Sequence, residues 1–351
     1  MNNLLKINLM GDVNLGFMLE NYKKGVFGKI RQKRVNPLAG VSNQMNGADI
    51  NVINLECVLS GTSNRPLPLS EVMRAPAEFV QILKENNIHI VNLANNHTMD
   101  HGLAAFQEMK TALNKAGIET IVDKNKFPGE KTLIYKAKGV SIGFPGYYIE
   151  ETIPPEEYDV LMTKMKEELA LLSQKCDHII LSLHWGHEFT TNPMSWQINL
   201  AKDLISSFDK LAVIYGQHPH RLHGVVKYKT GIIASSLGNF VFDDFLKKNR
   251  ITGLLQVLIQ DSGISHTLLP CFINKNYQPE ISEKFTPYID KLNGQLHQFI
   301  TSSGELTEDA WDKKLMKQSK LGHQVNRVKV RAAYLRNLLF HFSDLKPLMK
   351  R

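Results

Sequence analysis

Cysteine is scarce, with three in 351 residues: Cys57, Cys176 and Cys271. An odd number at wide, unpatterned spacing argues against a disulfide framework and against a zinc knuckle, and it implies a reducing compartment. No run reaches the roughly 18 consecutive apolar residues that a membrane span needs. The opening "MNNLLKINLMGDVNLG" has one lysine before a short apolar run and passes at once into a strand-then-loop pattern, leaving no room for a signal peptide's cleavage region. A cytoplasmic location is therefore expected. Also missing are a G-x-S-x-G serine, a cysteine in a nucleophile context, and the Walker or G-x-G-x-x-G spacings. Serine or cysteine nucleophiles and nucleotide binding drop out of the function classes. Internal repeats and low-complexity tracts are absent too.

Charge is present but unevenly placed. The chain carries 42 Lys/Arg against 34 Asp/Glu, a net of +8. Residues 311–351 hold eleven of those bases and two acids, so the preceding 310 residues are close to neutral. A basic tail suits phosphates, an anionic inner-membrane surface or an acidic polymer, and equally a solvated end. Nucleic-acid binding would rest on the tail alone and is not expected.

Short apolar runs alternate with amphipathic patterns, the signature of an α/β protein. "LLKINLM", "DINVINLE" and "IHIVNLA" are predicted strands. "GLAAFQEMKTALNKAG" is predicted as a helix with Leu103, Phe106, Met109 and Leu113 on its apolar face and Gly117 at its C-cap. The short runs "ETIVD", "TLIYKA" and "VSIGFPG" suggest antiparallel pairing, before a long charged helix from about Pro155 to Cys176. "HIILSLHW" and "KLAVIYG" are further strands, with a helix between them. "GVVKYKTGIIASSLGNFVF" and "GLLQVLIQDSGISHTLLPCFI" contain hairpin cues at "KTG" and "DSG". Mixed parallel and hairpin strands imply more than one sheet. The spacing divides the chain into a domain over 1–275 and an extension over 276–351. In the extension Val328, Ala332, Leu335, Leu339 and Phe342 form one stripe of a basic amphipathic helix, expected to dock on the protein's own body or to meet a membrane surface or partner.

Polar clusters follow the apolar runs directly. Asp12 follows the first, Glu56 the second, Asn96 and His97 the third, His184 another, and His218 with His220 the last. Side chains at corresponding strand ends converge on one edge of a sheet. Carboxylate and amide oxygens mixed with imidazoles, and no thiolate, suit Mn, Fe, Zn or similar divalent ions. Two carboxylates and three or more histidines exceed the needs of one catalytic ion, and two ions bridged by a carboxylate is the economical arrangement. His97 stands three residues before Asp100, which could orient it to protonate a departing atom. Each residue also has an ordinary use, as a turn cap for Asp12 or Asn96 and as a core imidazole for the histidines.

In the order "GDVNLG", "NLE", "LANNHTMDHG", "HWGHEF", "GQHPHRLHGV" and "SLGNFVFDD", over roughly residues 5–260, the sequence resembles the CapA family of poly-γ-glutamate capsule biosynthesis proteins, within the calcineurin-like metallophosphatase superfamily. The resemblance implies a four-layer α-β-β-α sandwich of two mixed sheets with a dinuclear metal site. It implies that Asp12 and His220 serve a first metal, that Glu56 bridges, and that Asn96, His184 and His218 serve a second. His97 then donates a proton to the leaving group. Asn14 stands where the superfamily has a histidine and remains in the candidate metal set with an amide. Asn95 replaces a glycine and Gln217 a histidine.

Around these, Arg221, His187 and Glu188 are candidates for supporting the ligands or meeting an anionic substrate, Arg74 is a weaker one, and Asn239 is a candidate lining residue. The function expected is a metal-dependent hydrolase of a phosphoester or amide bond, linked to capsule, poly-γ-glutamate or exopolysaccharide synthesis. A non-catalytic, metal-binding component of a polymer synthesis or export complex is the alternative, its basic tail then a contact to capsule-synthesis proteins.

Overall fold

A computed structural model describes residues 4–349 apart from Glu20, Tyr22, Lys23, Lys124, Phe245 and residues 302–307. At residues 308–309, 334 and 337–349 it describes the backbone alone. In chain order the elements are β1 (Leu5–Val13), α1 (Val26–Lys33), α2 (Ser42–Asn46), β2 (Ile50–Leu55), β3 (Val58–Leu59), β4 (Arg74–Ala75), α3 (Val80–Glu85), β5 (Ile90–Asn92) and α4 (Gly102–Ala116). They continue with β6 (Glu119–Ile121), β7 (Leu133–Ala137), β8 (Val140–Phe144), β9 (Gly146–Tyr148), α5 (Pro155–Lys175), β10 (His178–His184), α6 (Ser195–Ser207) and β11 (Leu211–Gln217). The last are β12 (Val225–Tyr228), β13 (Gly231–Ala234), β14 (Asn239–Val241), β15 (Ile251–Gln260), β16 (Gly263–Ile273), β17 (Pro279–Ile281), α7 (Thr286–Thr301) and α8 (Glu308–Met349).

Among the described residues the strands form two large mixed sheets. One has the order β17-β16-β15-β1-β2-β5-β6, with β14 beside β1; the other is β12-β13-β11-β10-β8-β7, with β9 beside β10. Alternation along each strand sends its side chains to two different layers. Leu5, Ile7 and Leu9 of β1 share an inter-sheet core with Phe144, Ile180, Val213 and Tyr215 of the second sheet. Met10 and Val13 of β1 face the other way, against Phe106, Met109 and Leu113 of α4. On the second sheet's outer face, Leu161, Met165 and Leu169 of α5 and Ile198 and Leu204 of α6 cover Ile179, Leu181 and Ile214. The result is the four-layer α-β-β-α sandwich.

Three local expectations change. Glu119–Ile121 runs parallel to β5, not antiparallel, because α4 carries the chain back along the sheet before the next strand begins. Leu103 is 54% exposed, while Ala105, Phe106, Met109 and Leu113 are buried. At about 100° per residue it lies roughly a quarter turn from the middle of that face. In α8, Val328 and Leu335 are 68% and 59% exposed and Ala332 is exposed, so this stripe does not dock on the body. The buried face instead runs through Trp311, Leu315, Ser319 and Gly322 to Ala333, where small side chains allow close approach. The side chains of Leu339 and Phe342 lie outside the described residues.

Candidate metal centre

Parallel pairing decides where the polar residues gather. β1, β2 and β5 run side by side in one direction, as do β10 and β11, so their C-terminal ends share an edge. Asp12 lies near the end of β1, where the register with β2 shifts between Leu9 and Asp12, and Glu56 follows β2. Asn95, Asn96 and His97 follow β5. His184 ends β10, and His218 and His220 follow β11 with φ of 96° and 55°, a left-handed backbone uncommon outside glycine.

Two groups of ligand atoms result. One oxygen or nitrogen each from Glu56, His184 and His218 lie within 4.8 Å of one another, and so do those of Asp12, Glu56 and His220. Glu56 belongs to both. Its Oε1 is 3.7 Å from His184 Nε2, while its Oε2 is 4.0 Å from His220 Nδ1. His220 Nδ1 is also 3.5 Å from Asp12 Oδ2 and 2.8 Å from Asn239 Oδ1. His184 Nε2 meets Asn96 Oδ1 at 2.9 Å and His218 Nδ1 at 3.2 Å.

Asp12 Oδ2 and both Glu56 oxygens are buried and accept no hydrogen bond. Among the described residues their ion-pair partners are histidines only. Burial, then the Asp12 carboxylate, pushes the Glu56 carboxyl well above its ordinary range. Burial, then the neighbouring His218, lowers His184 well below the usual histidine value. Burial opposes charge on His220 as well, but Glu56 and Asp12 together raise it well above that value. Buried acceptors crowded together without donors, beside an imidazole held neutral, are a donor set that divalent cations satisfy. These residues fit such ions.

His97 lies between two carboxylates. Its Nδ1 lies 2.8 Å from Asp100 Oδ2, and its Nε2 lies 3.8 Å from Glu56 Oε1. Burial works against ionisation of Asp100, yet the His97 hydrogen bond and Arg65, 3.5 Å away, keep it below its usual range. Asn14 makes its contacts elsewhere, accepting from Gly16 N–H at 2.7 Å and donating to Met73 Sδ at 3.0 Å. Arg74 is occupied by Ser60, Ser70 and Glu71.

His187 and Glu188 meet Glu151 and α8. His187 Nδ1 lies 3.2 Å from Glu151 Oε2, and Glu188 Oε2 lies 3.7 Å from His323 Nδ1. Arg221 donates from Nε to Asn249 Oδ1 at 3.0 Å and lines a pocket of about 490 Å³ with Lys247, Lys248 and Lys329 and, among the described residues, no acidic one. Its far wall is α8, through Gln318, Leu321, Gly322 and Val325.

Sequence reasoning missed a ladder of amides beneath the site. Asn54 donates to Asp12 Oδ1 at 2.8 Å, and its own Oδ1 accepts from Asn92 at 2.9 Å and Asn95 at 3.2 Å. A usable signal existed: an asparagine inside an apolar strand must find a buried partner. Glu151 was missed too, since "YYIEETIPP" has nothing to mark one glutamate.

Residues 6–244 match the family described as bacterial capsule synthesis protein PGA_cap. The capsule biosynthesis protein CapA of Bacillus anthracis is 30% identical over 267 residues, 72% of this chain and 62% of that protein. The PGA biosynthesis protein CapA of Bacillus subtilis strain 168 is 25% identical over 274 residues, 74% of this chain and 69% of that one. The chain thus spans less than two thirds of the length of the first of these relatives. A hypothetical protein from Thermus thermophilus shares the fold, with a TM-score of 0.50 at 11% identity over 76% of this chain and 99% of that one. The matched span holds the whole cluster from Asp12 to His220, and the chain belongs to the PGA_cap family, within the calcineurin-like metallophosphatase superfamily.

Proposed function

We propose that this chain is a metal-dependent hydrolase of phosphoester or amide bonds, acting in the synthesis of an anionic extracellular polymer. The observation that carries the reading is Glu56, buried without a hydrogen bond and sharing its two oxygens between two histidine-containing groups. Asp12 and His220 would hold one ion and Asn96, His184 and His218 the other. Two such ions would supply an activated water and neutralise the oxygens of the bond being cleaved.

The chain's own groups do the rest. Asp100 accepts from Nδ1–H of His97 and so leaves Nε2 as the atom facing the site, placed to give a proton to the departing oxygen or nitrogen. Asn54 fixes Asp12 through Oδ1, which leaves Oδ2 for an ion. Arg221, Lys247, Lys248 and Lys329 would hold the anionic remainder of the substrate.

Metal analysis of the purified protein, together with hydrolysis of a generic phosphomonoester and a phosphodiester, tests this. Two first-row ions per chain are expected, with turnover lowered by about 100- to 10,000-fold in His97→Ala at unchanged metal content. Metal uptake with no turnover on any ester or γ-glutamyl amide would favour a non-catalytic component of a polymer-handling complex.

A further inference from the structure

Glu151 stands in the turn between β9 and α5, outside every motif that the sequence marks. β9 pairs with β10 so that Tyr148 lies opposite His184, and Ile149 N–H donates to the His184 carbonyl at 3.0 Å. The turn is thereby fixed beside a strand end of the site. Three contacts converge on the Glu151 carboxylate. Its Oε1 is 3.4 Å from His218 Nε2 and accepts from the Glu188 backbone N–H at 3.2 Å, and its Oε2 is 3.2 Å from His187 Nδ1.

His218 has two faces. Its Nδ1 lies 3.2 Å from His184 Nε2, on the side of Asn96 and Glu56, while Nε2 turns to Glu151. A metal-binding imidazole is oriented by what its other nitrogen donates to, and a carboxylate there both fixes the tautomer and strengthens the ligand. The φ of 96° at His218 is a backbone conformation that persists only where surroundings enforce it.

We infer that Glu151 is a positioning residue for the metal centre: its carboxylate stands 3.4 Å from His218 Nε2, is the group that this nitrogen faces, and so aims Nδ1 at the ion shared with Glu56 and His184. The inference rests on the metal reading above. It also assigns His187 and Glu188 a place, since both hold the Glu151 carboxylate and neither needs to touch substrate or ion.

Titration of the chelator-stripped full chain with Mn²⁺ or Co²⁺ tests it without any substrate. Wild type is expected to take two ions. Glu151→Ala should weaken one of them by about 10- to 100-fold, leave the other unchanged and alter the Co²⁺ absorption spectrum. Glu151→Gln, which keeps an oxygen facing Nε2 without the charge, should recover part of the loss. Glu151→Ala binding both ions with wild-type affinity and spectrum would overturn the inference and leave the metal reading standing. Wild type that takes up no ion would overturn both, before any variant is compared.

Discussion

Carboxylates are costly to bury, and this chain buries several. Asp12 and Glu56 lie among histidines in the two groups that could hold ions. Asp123, outside those groups, has an Oδ2 without a hydrogen bond, and burial pushes its carboxyl up to about 6. Its ordinary value is 3.8, so between these two values the folded chain holds a proton that the unfolded chain has lost. Its contribution to stability is complete below about pH 4 and is lost as pH rises through about 6. Asp123→Asn should therefore gain on wild type as pH is raised from 4 to 7 in thermal unfolding. A gap between the two midpoints that stays constant over that range would refute the assignment.

Strand ends and one helix face carry the site. Gly11 precedes Asp12 where β1 passes the chain at Gly238, and a Cβ there would overlap the Gly238 carbonyl oxygen. Gly11→Ala should separate β1 from β14 and move Asp12, lowering both the unfolding midpoint and metal uptake; uptake at the wild-type level would count against it. At the other end, α8 braces the loop after β10. Trp311 donates to the Pro193 carbonyl at 2.9 Å and stacks on Phe299 with ring centroids 4.6 Å apart, while Asp312 accepts from Ser195 N–H at 2.9 Å. Gln318 accepts from the Thr191 hydroxyl at 3.0 Å, and the Phe189 side chain fills the space a Cβ on Gly322 would need. Truncating Trp311 to Ala should cost about 3–5 kcal/mol in denaturant unfolding, since it removes a buried aromatic and strands a carbonyl. A cost below about 1 kcal/mol would mean that α8 is not braced there.

Over the whole molecule, charge and shape act together. The excess of basic residues lies in the last 41, yet Lys329 of that segment reaches the same pocket as Arg221, Lys247 and Lys248. No helix among the described residues is long and apolar enough to cross a membrane. If the pocket receives an anionic substrate, Lys247→Ala with Lys248→Ala should raise KM several-fold for a doubly charged phosphomonoester, less for a singly charged diester, and less again as salt screens the field. Equal KM changes for both esters at every salt concentration would argue that these lysines only solvate the surface.

How much of this was legible in sequence follows from the range of each cause. Two-residue and 3.6-residue periods are local, so β1, β2, β10, β11, the α4 C-cap at Gly117 and the strand-end positions of Asp12, Glu56, His184 and His218 could be read directly. Ligand chemistry is intrinsic to side-chain type, so candidates for a cation site could be named from the sequence as well. Contacts across the fold were not. That His218 turns Nδ1 to His184 and Nε2 to Glu151, that Asn54 supports Asp12, and that α8 presents Trp311 and Gly322 to the body while Val328 faces solvent are set by packing between segments dozens of residues apart. The local pattern determines which residues arrive at the edge, and only the meeting of the two sheets and α8 decides which atom of each faces which partner.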